Sequence, residues 1–424
     1  MQTTAISARP DVQNARHPVA GCCLYVAGTD LFNPFPQPAQ HFPRQWALFV
    51  EHLDLIGYRR FYDGPPVPAL HRLARGLRAL ASERLTITGQ ANIRQIAIRK
   101  LRLPALLDVL FQDLWILANL QRHLAPLYDI AIVHGPESAL LSRHLQRTGR
   151  AAQMIYHDID YYPYVSARQR RIIAWREQML VRRADLVLSV SRPLAALRTK
   201  QGARQVIYLP NGVDFDRFAQ ANRRQPGRPP TLLYTGTLDR RWGVDLPIRA
   251  MPLILKHHPE TRCYIAGAGP DEANLRHLVE TLKLQHAVRF LGFVPHTDLP
   301  GIMAQADIGL ATSREDVFRQ YASPLKLAEY MAAGLPVICS GGGEAAQMIA
   351  ESGAGVNVPF SPDACAAAIC ALLSNPDELQ AQREAGLAYA RARTWEKLAA
   401  QLAQVVAALP GPPAGAWRAA KSEG

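Results

Sequence analysis

The segment Ser323–Ile338, SPLKLAEYMAAGLPVI, carries a cation and a carboxylate three residues apart, Lys326 and Glu329. On a helix that spacing puts both on one face. There an ammonium can meet a phosphate and a carboxylate can accept hydrogen bonds from sugar hydroxyls. A solvated surface ion pair is the simpler use of the same two residues. Pro324 suits a first helical turn, while Gly334 ends the helix and Pro336 opens the next strand. Further back, Cys263–Leu275 (CYIAGAGPDEANL) passes from an apolar run through Gly267 and Gly269 into helical spacing. Backbone amides of such a turn, with a helix N-terminus behind them, can receive an anion. The full dinucleotide fingerprint is absent, and a plain tight turn fits equally well. In the first half, MIYHDIDYYPY (Met154–Tyr164) offers His157, Asp158 and Asp160. A carboxylate in a partly dry site can take the proton of an acceptor hydroxyl; a turn whose aspartates cap their own loop is the structural alternative.

These groups need elements to hold them. Short apolar runs alternate with longer amphipathic ones, which predicts parallel sheets covered by helices on both faces. In the first half, Cys22–Ala27, Tyr58–Tyr62, Leu85–Thr88, Ile130–Val133, Gln153–Tyr156 and Leu186–Val190 read as strands; Arg44–Ile56, Ala69–Ser82, Glu137–Arg147 and Ala167–Arg183 read as helices. A second series has strands at Thr231–Thr235, Arg262–Ala266, Val288–Leu291, Ile308–Ala311 and Val337–Cys339. Its helices are Val244–His257, Asp271–Leu284, Pro324–Ala333 and Asp363–Leu373. The polar, proline-rich stretch 219–230 is the expected linker. It separates an N-terminal domain, 1–218, from a C-terminal one, 231–392. Residues 1–18 are expected to be flexible, 393–409 to form a last helix, and 410–424 to be a disordered tail.

The chain has 424 residues, and 48 Lys and Arg against 35 Asp and Glu leave +13, a surface that seeks anions. The six cysteines lie mostly in apolar runs and read as buried thiols of a reducing compartment. No ligand spacing suggests a metal site. The start lacks a secretory pattern, and the most apolar stretch, Leu103–Leu120, is broken by Asp108 and Asp113, so no spanning helix is expected.

Five segments in order and spacing resemble the carboxyl domain of family 4 glycosyltransferases: YTGTLDRRWGVDL (Tyr234–Leu246), AGAGPDEANL, VRFLGFVP (Val288–Pro295), SPLKLAEYMAAGLPVI and SGGGE. ADLVLSVS (Ala184–Ser191) and LPNGVDFDRF (Leu209–Phe218) extend the resemblance upstream. It implies the GT-B fold, two Rossmann-like domains facing a cleft, with a nucleoside-diphosphate sugar as donor, UDP- or GDP-linked, and no cofactor. Residue by residue, it implies that Glu329 binds the donor ribose, that Phe293 and Val294 read the base through their backbone, and that Gly341, Gly342 and Gly343 lie near the sugar and phosphates. Gly236, Thr237, Arg240, Arg241, Gly267, Gly269, Tyr321, Lys326 and Leu327 complete the donor set. Thr237 and Trp242 stand where the family commonly has arginine and lysine, and Tyr321 where it has a glutamate. Lys326, Arg240 and Arg241 are the cations left to balance a departing diphosphate. The pattern around Tyr321 also resembles a glucuronosyltransferase of the same fold, which leaves retaining and inverting outcomes both open. In the first half, Asp160 matches that enzyme's catalytic aspartate slightly better than Asp158 does. Gly28, ending the first strand, and Arg44, heading the next helix, are the acceptor-side candidates; His134 and Glu137 are weaker ones.

From Pro66 to Ala105 run Arg72, Arg75, Arg78, Arg84, Arg94, Arg99, Lys100 and Arg102 against a lone Glu83, with Leu70, Leu73, Leu77 and Leu80 at helical spacing. Such a basic amphipathic stretch suits an anionic membrane face, although a solvated basic helix has the same composition. The expectation is therefore a cytoplasmic enzyme, peripheral on the inner membrane face. It would extend a glycan or a polyprenyl-diphosphate-linked acceptor in envelope or exopolysaccharide synthesis. A nucleotide-sugar epimerase or a phosphorylase, a dehydrogenase, a scaffold that binds nucleotide without turnover, and a basic nucleic-acid-binding protein are the alternatives. No nucleic-acid motif supports the last.

Overall fold

A computed structural model of the chain describes residues 18–30, 38–59, 85–99, 105–161, 166–221 and 227–409. Residues 1–17, the centre of the expected linker (222–226), the tail 410–424 and the expected helix Ala69–Ser82 lie outside the described residues. The chain divides into two compact units, Met1–Leu209 with Glu396–Gly424, and Pro210–Trp395.

The first unit is built on an eight-stranded sheet: β1 (Ala20–Asp30), β2 (Val50–Arg59), β3 (Leu85–Gln90), β4 (Ile93–Arg99), β5 (Tyr128–His134), β6 (Ala151–Asp158), β7 (Leu186–Ser189) and β8 (Val206–Tyr208). Its order is β3-β4-β2-β1-β5-β6-β7-β8, parallel except for the antiparallel β3–β4 edge hairpin. The strand order reverses at β1, which pairs with β2 on one side and β5 on the other. Helices Ala105–Leu120, Ala139–Arg147 and Ala167–Arg183 pack on one another beside it.

The expected helix Arg44–Ile56 is not formed. A helix Pro38–Trp46 is followed by a short turn, and β2 takes over at Val50. Leu53, Asp54, Leu55 and Ile56 are all essentially buried between β1 and β4, so apolar residues occur on both faces of the strand. That continuous run imitates helical spacing. Arg44 accordingly lies in the last turn of a helix, not at its head. The basic reading of 66–105 also changes where the residues are described. Arg94 is on β4, and its guanidinium donates to both carboxylate oxygens of Asp54 at 2.7 and 2.5 Å. Asp54 also accepts from Tyr128 Oη at 2.7 Å and contacts His52 Nε2 at 2.9 Å. Burial pushes the Asp54 carboxyl up, but these bonds outweigh it and hold its pKa at about 2. Arg94 is thus a clamp between strands.

The second unit has six parallel strands: β9 (Thr231–Thr235), β10 (Arg262–Ala266), β11 (Val288–Gly292), β12 (Ile308–Ala311), β13 (Val337–Ser340) and β14 (Gly355–Val358), in the order β11-β10-β9-β12-β13-β14. Here the order reverses at β9, between β10 and β12. In open sheets of this kind ligands bind beyond the carboxyl ends of the strands at such a reversal. The unit begins at Pro210, before the proline-rich stretch, because Val213, Phe215, Phe218 and Ala221 are buried in its core. Val213 forms a parallel bridge with Thr394, which ties the two ends of the unit together. The last helix, Trp395–Ala407, belongs from Glu396 onward to the first unit. The six cysteines are free thiols, five of them buried. Among the described residues no helix is long and apolar enough to cross a membrane.

Candidate active site

At the carboxyl end of β9 the chain turns through Gly236 and runs against the loop that follows β10. Gly236 N–H donates to Ala266 O (3.0 Å) and Leu238 N–H to Ala268 O (3.1 Å). A Cβ on Gly267 would stand 1.8 Å from Gly236 O, and one on Gly269 2.3 Å from Leu238 O. These glycines therefore let two loops touch backbone to backbone. The Gly267 amide donates to Gly292 O at 2.7 Å, so it is not available to an anion as the sequence suggested.

Lys326 lies in the first turn of the helix Leu325–Ala332. Its ammonium sits 4.1 Å from the ring centre of Tyr234 and 5.1 Å from that of Trp242, and it lies against Gly236, where a Cβ would come within 2.9 Å. Among the described residues it makes no hydrogen bond or ion pair. Burial lowers its pKa from 10.5 to about 7; the Arg319 charge pushes the same way, and Glu329 opposes them. The Arg319 guanidinium, itself buried, stacks 3.0 Å from the Trp242 ring centre. Lys326, Arg319, Trp242, Thr312, Ser313 and Gly342 share one pocket. Its floor is held by Ser313 and Ser340: the Ser313 N–H donates to Ser340 Oγ (3.0 Å), and Ser313 Oγ donates to Ser340 O (3.0 Å). Gly342 caps the helix Gly343–Ser352 there, and a Cβ on Gly343 would collide with Gln320 O at 2.5 Å.

Glu329 Oε1 lies 2.7 Å from His296 Nε2, and the His296 ring is edge-on to Phe218 at 5.5 Å. Leu327, by contrast, is wholly buried in the core, so its side chain does not reach the pocket. Phe293 is exposed and Val294 half-buried, at the end of β11. Tyr321 is half-buried in the short helix Val317–Tyr321. Thr237 is exposed and its carbonyl accepts from Tyr234 Oη. Arg241 is paired with Asp239 at 2.9 and 3.0 Å, whereas the exposed Arg240 engages Arg314 through its carbonyl.

In the first unit, the ends of β5 and β6 bring together His134, His157, Asp158 and Asp160. Asp158 is completely buried and accepts from Arg198 Nε (2.6 Å) and Nη2 (2.8 Å), while Arg198 also donates to Glu177 (3.0 Å). That use makes Asp158 a structural anchor, which corrects its candidacy as a base. His157 Nδ1 lies 2.8 Å from Tyr25 Oη, and burial, with His134 nearby, lowers its pKa to about 3. It is a neutral, hydrogen-bonded core histidine. Asp160, two residues beyond, is half-buried at the surface of the unit. Burial raises its pKa; His134 opposes the rise, and Asp158 and Glu137 add to it. Gly28 falls in the last, irregular part of β1, and Arg44 is exposed. Among the described residues no three His, Cys, Asp or Glu side chains converge as metal ligands.

The profile of the glycosyl transferases group 1 matches residues 216–388, and that of the glycosyl transferase 4-like domain matches residues 64–212. The chain carries a group 1 glycosyltransferase domain behind a glycosyl transferase 4-like domain. Glycogen synthase of Mycobacterium tuberculosis is 29% identical over 305 residues, 70% of this chain and 68% of its own length. A GDP-mannose-dependent alpha-(1-6)-phosphatidylinositol monomannoside mannosyltransferase of the same organism is 32% identical over 213 residues, 47% and 55% respectively. The structure of HepE from Anabaena, solved with UDP, superposes with a TM-score of 0.65 at 17% identity and covers 92% of this chain and 100% of its own. The two parallel sheets are those of the GT-B fold. For this glycosyltransferase, sequence reasoning missed Arg319 and His296. Arg319 lies 77 positions beyond Trp242 in the chain, and no local spacing links them. The signal for His296 was its place directly after VRFLGFVP.

Proposed function

We propose that this glycosyltransferase takes its sugar from a nucleoside-diphosphate sugar held in the second unit and passes it to a lipid-linked or polysaccharide acceptor of envelope or exopolysaccharide synthesis. The observation that carries the donor assignment is the Lys326 ammonium. It is half-buried, faces a pocket and, among the described residues, has two aromatic rings but no ion-pair partner against it. A charge so placed is unfavourable until an anion meets it. Arg319, stacked on Trp242, supplies a second cation beside the place where the family has lysine. Together they balance the charge that develops on a departing diphosphate. Glu329, held by His296, is the ribose-binding group, and the Phe293–Val294 backbone reads the base. The glycines 341–343 bring a helix N-terminus to the same pocket, which favours phosphate. On the acceptor side Asp160 meets the sugar hydroxyl, with Gly28 near the end of β1. A mannosyltransferase that acts on a phosphatidylinositol glycolipid and a synthase that builds a polysaccharide are both among the relatives, which supports acceptors of these two kinds.

The test is thermal stabilisation by UDP, GDP, ADP and their sugars, for wild type, Glu329→Ala and Lys326→Met. At a ligand concentration about 100 times Kd, the expected stabilisation is roughly 2.7 kcal/mol. It should be selective for one base and lost in both variants. A folded protein that responds to no nucleotide sugar refutes the donor site.

A further inference from the structure

Among the described residues, two packed helices of the first unit leave exposed faces, and the two faces differ in kind. On Ala105–Leu120, Phe111, Leu114 and Ala118 recur at helical spacing and point outward; Phe111 is 48% and Leu114 51% exposed. The side that packs inward carries Ile116 and Leu120. A helix normally turns its apolar stripe to the core, so a second, outward stripe needs an apolar medium. Beside it, Ala167–Arg183 exposes Arg168, Arg171, Trp175 and Arg182 along one face, with Trp175 55% exposed. Arg170 and Arg183 are exposed as well. The only acid of this helix, Glu177, is turned inward onto Arg198. The exposed face is therefore uniformly cationic around a tryptophan.

We propose that these two helices form a docking surface for an anionic lipid bilayer, with Phe111 and Leu114 inserted, Trp175 at the headgroup level and the arginines on lipid phosphates. The charge decides between occupants. A second copy of the chain would bring the same arginines together, whereas an anionic bilayer neutralises them. Apolar side chains, an interfacial tryptophan and a basic rim make up the composition of a surface-bound amphipathic element. The surface lies outside the segment 66–105 in which the sequence placed membrane affinity, and it rests on the lipid-acceptor reading only for its purpose.

The test is cosedimentation of the full chain with phosphatidylcholine vesicles and with vesicles in which about a third of the lipid is phosphatidylglycerol. Binding is expected only to the second kind and should weaken in high salt. At roughly fivefold per arginine, Arg168→Gln with Arg171→Gln should reduce partitioning about twenty-five-fold. Leu114→Ser and Trp175→Ala should each weaken it, and Trp175→Ala should also remove a vesicle-induced blue shift of tryptophan emission. Absence of binding, equal binding by the arginine variant, or concentration-dependent dimerisation abolished by Leu114→Ser would each overturn the proposal. Transfer assays separate this from the acceptor reading. Sugar transfer to a lipid-linked acceptor in detergent without vesicle binding leaves that reading standing and removes the surface. Vesicle binding with transfer only to soluble glycans does the reverse.

Discussion

Donor binding should take up a proton, and Lys326 is the group that receives it. In the free protein its amine has a pKa of about 7 against the ordinary 10.5, chiefly through burial. A diphosphate placed against it favours the charged form, so the pKa rises in the complex. The sign follows directly. Below pH 7 the amine is already charged and affinity is flat; above pH 7 each bound donor must first bring in a proton, and affinity falls toward tenfold per pH unit. Between pH 6 and 8.5 the expected weakening is about thirtyfold, or ~2 kcal/mol. A nucleotide sugar is the right ligand, because a free nucleoside diphosphate has a phosphate that itself titrates near pH 6. Titration calorimetry at pH 8 in buffers of different ionisation enthalpy should report an uptake of about 0.9 proton. Lys326→Arg, charged throughout, should abolish both the uptake and the slope. A wild-type Kd that is constant from pH 6 to 8.5, with no buffer dependence, would refute the reasoning.

The buried triad makes its own prediction: Arg198→Ala leaves Asp158 unpaired and should destabilise the protein by about 3–5 kcal/mol in urea unfolding. A loss below ~1 kcal/mol would mean that the pair is not held as described. Asp160→Asn should lower kcat by at least about a hundredfold at unchanged melting temperature, whereas Asp158→Asn should act first on melting; the opposite pattern would exchange their roles. Gly267→Ala places a methyl 1.8 Å from Gly236 O. It should weaken donor binding and stability together, the latter by about 3 kcal/mol, measured by thermal shift with and without donor. Unchanged stability would show that the two loops are not in contact.

The cluster proposed to hold the donor could be picked out in the sequence because its residues are local. Lys326, Glu329 and the glycines at 341–343 lie within 18 residues, and a single strand–helix–strand passage positions them. What escaped notice depends on contacts between distant residues. Within MIYHDIDYYPY only the resemblance favoured Asp160 slightly over Asp158, and no residue there shows that one of the two is buried in an ion pair. The difference comes from Arg198, forty positions on, which reaches the aspartate on the inward side of the strand end. Likewise β2 was mistaken for a helix, because a strand buried on both faces loses the alternation by which strands are recognised. Gly267 shows the same limit in the backbone. Its type announces a close approach, but only the folded sheet shows that the approaching atom is a neighbouring carbonyl and not a ligand.

The paired ends of the second unit bear on how the protein is made. Pro210–Trp395 is one continuous stretch, closed on itself by the Val213–Thr394 bridge and by Trp395 packed on Gly212. The first unit is interrupted and needs Glu396 onward to be complete. During synthesis from the amino end, the later-encoded unit therefore has all its parts before the earlier one does. The sheet that begins the chain must wait, one helix short, while nearly two hundred residues are added and folded. Until residues beyond 395 have left the ribosome, the first unit still lacks the helix Trp395–Ala407.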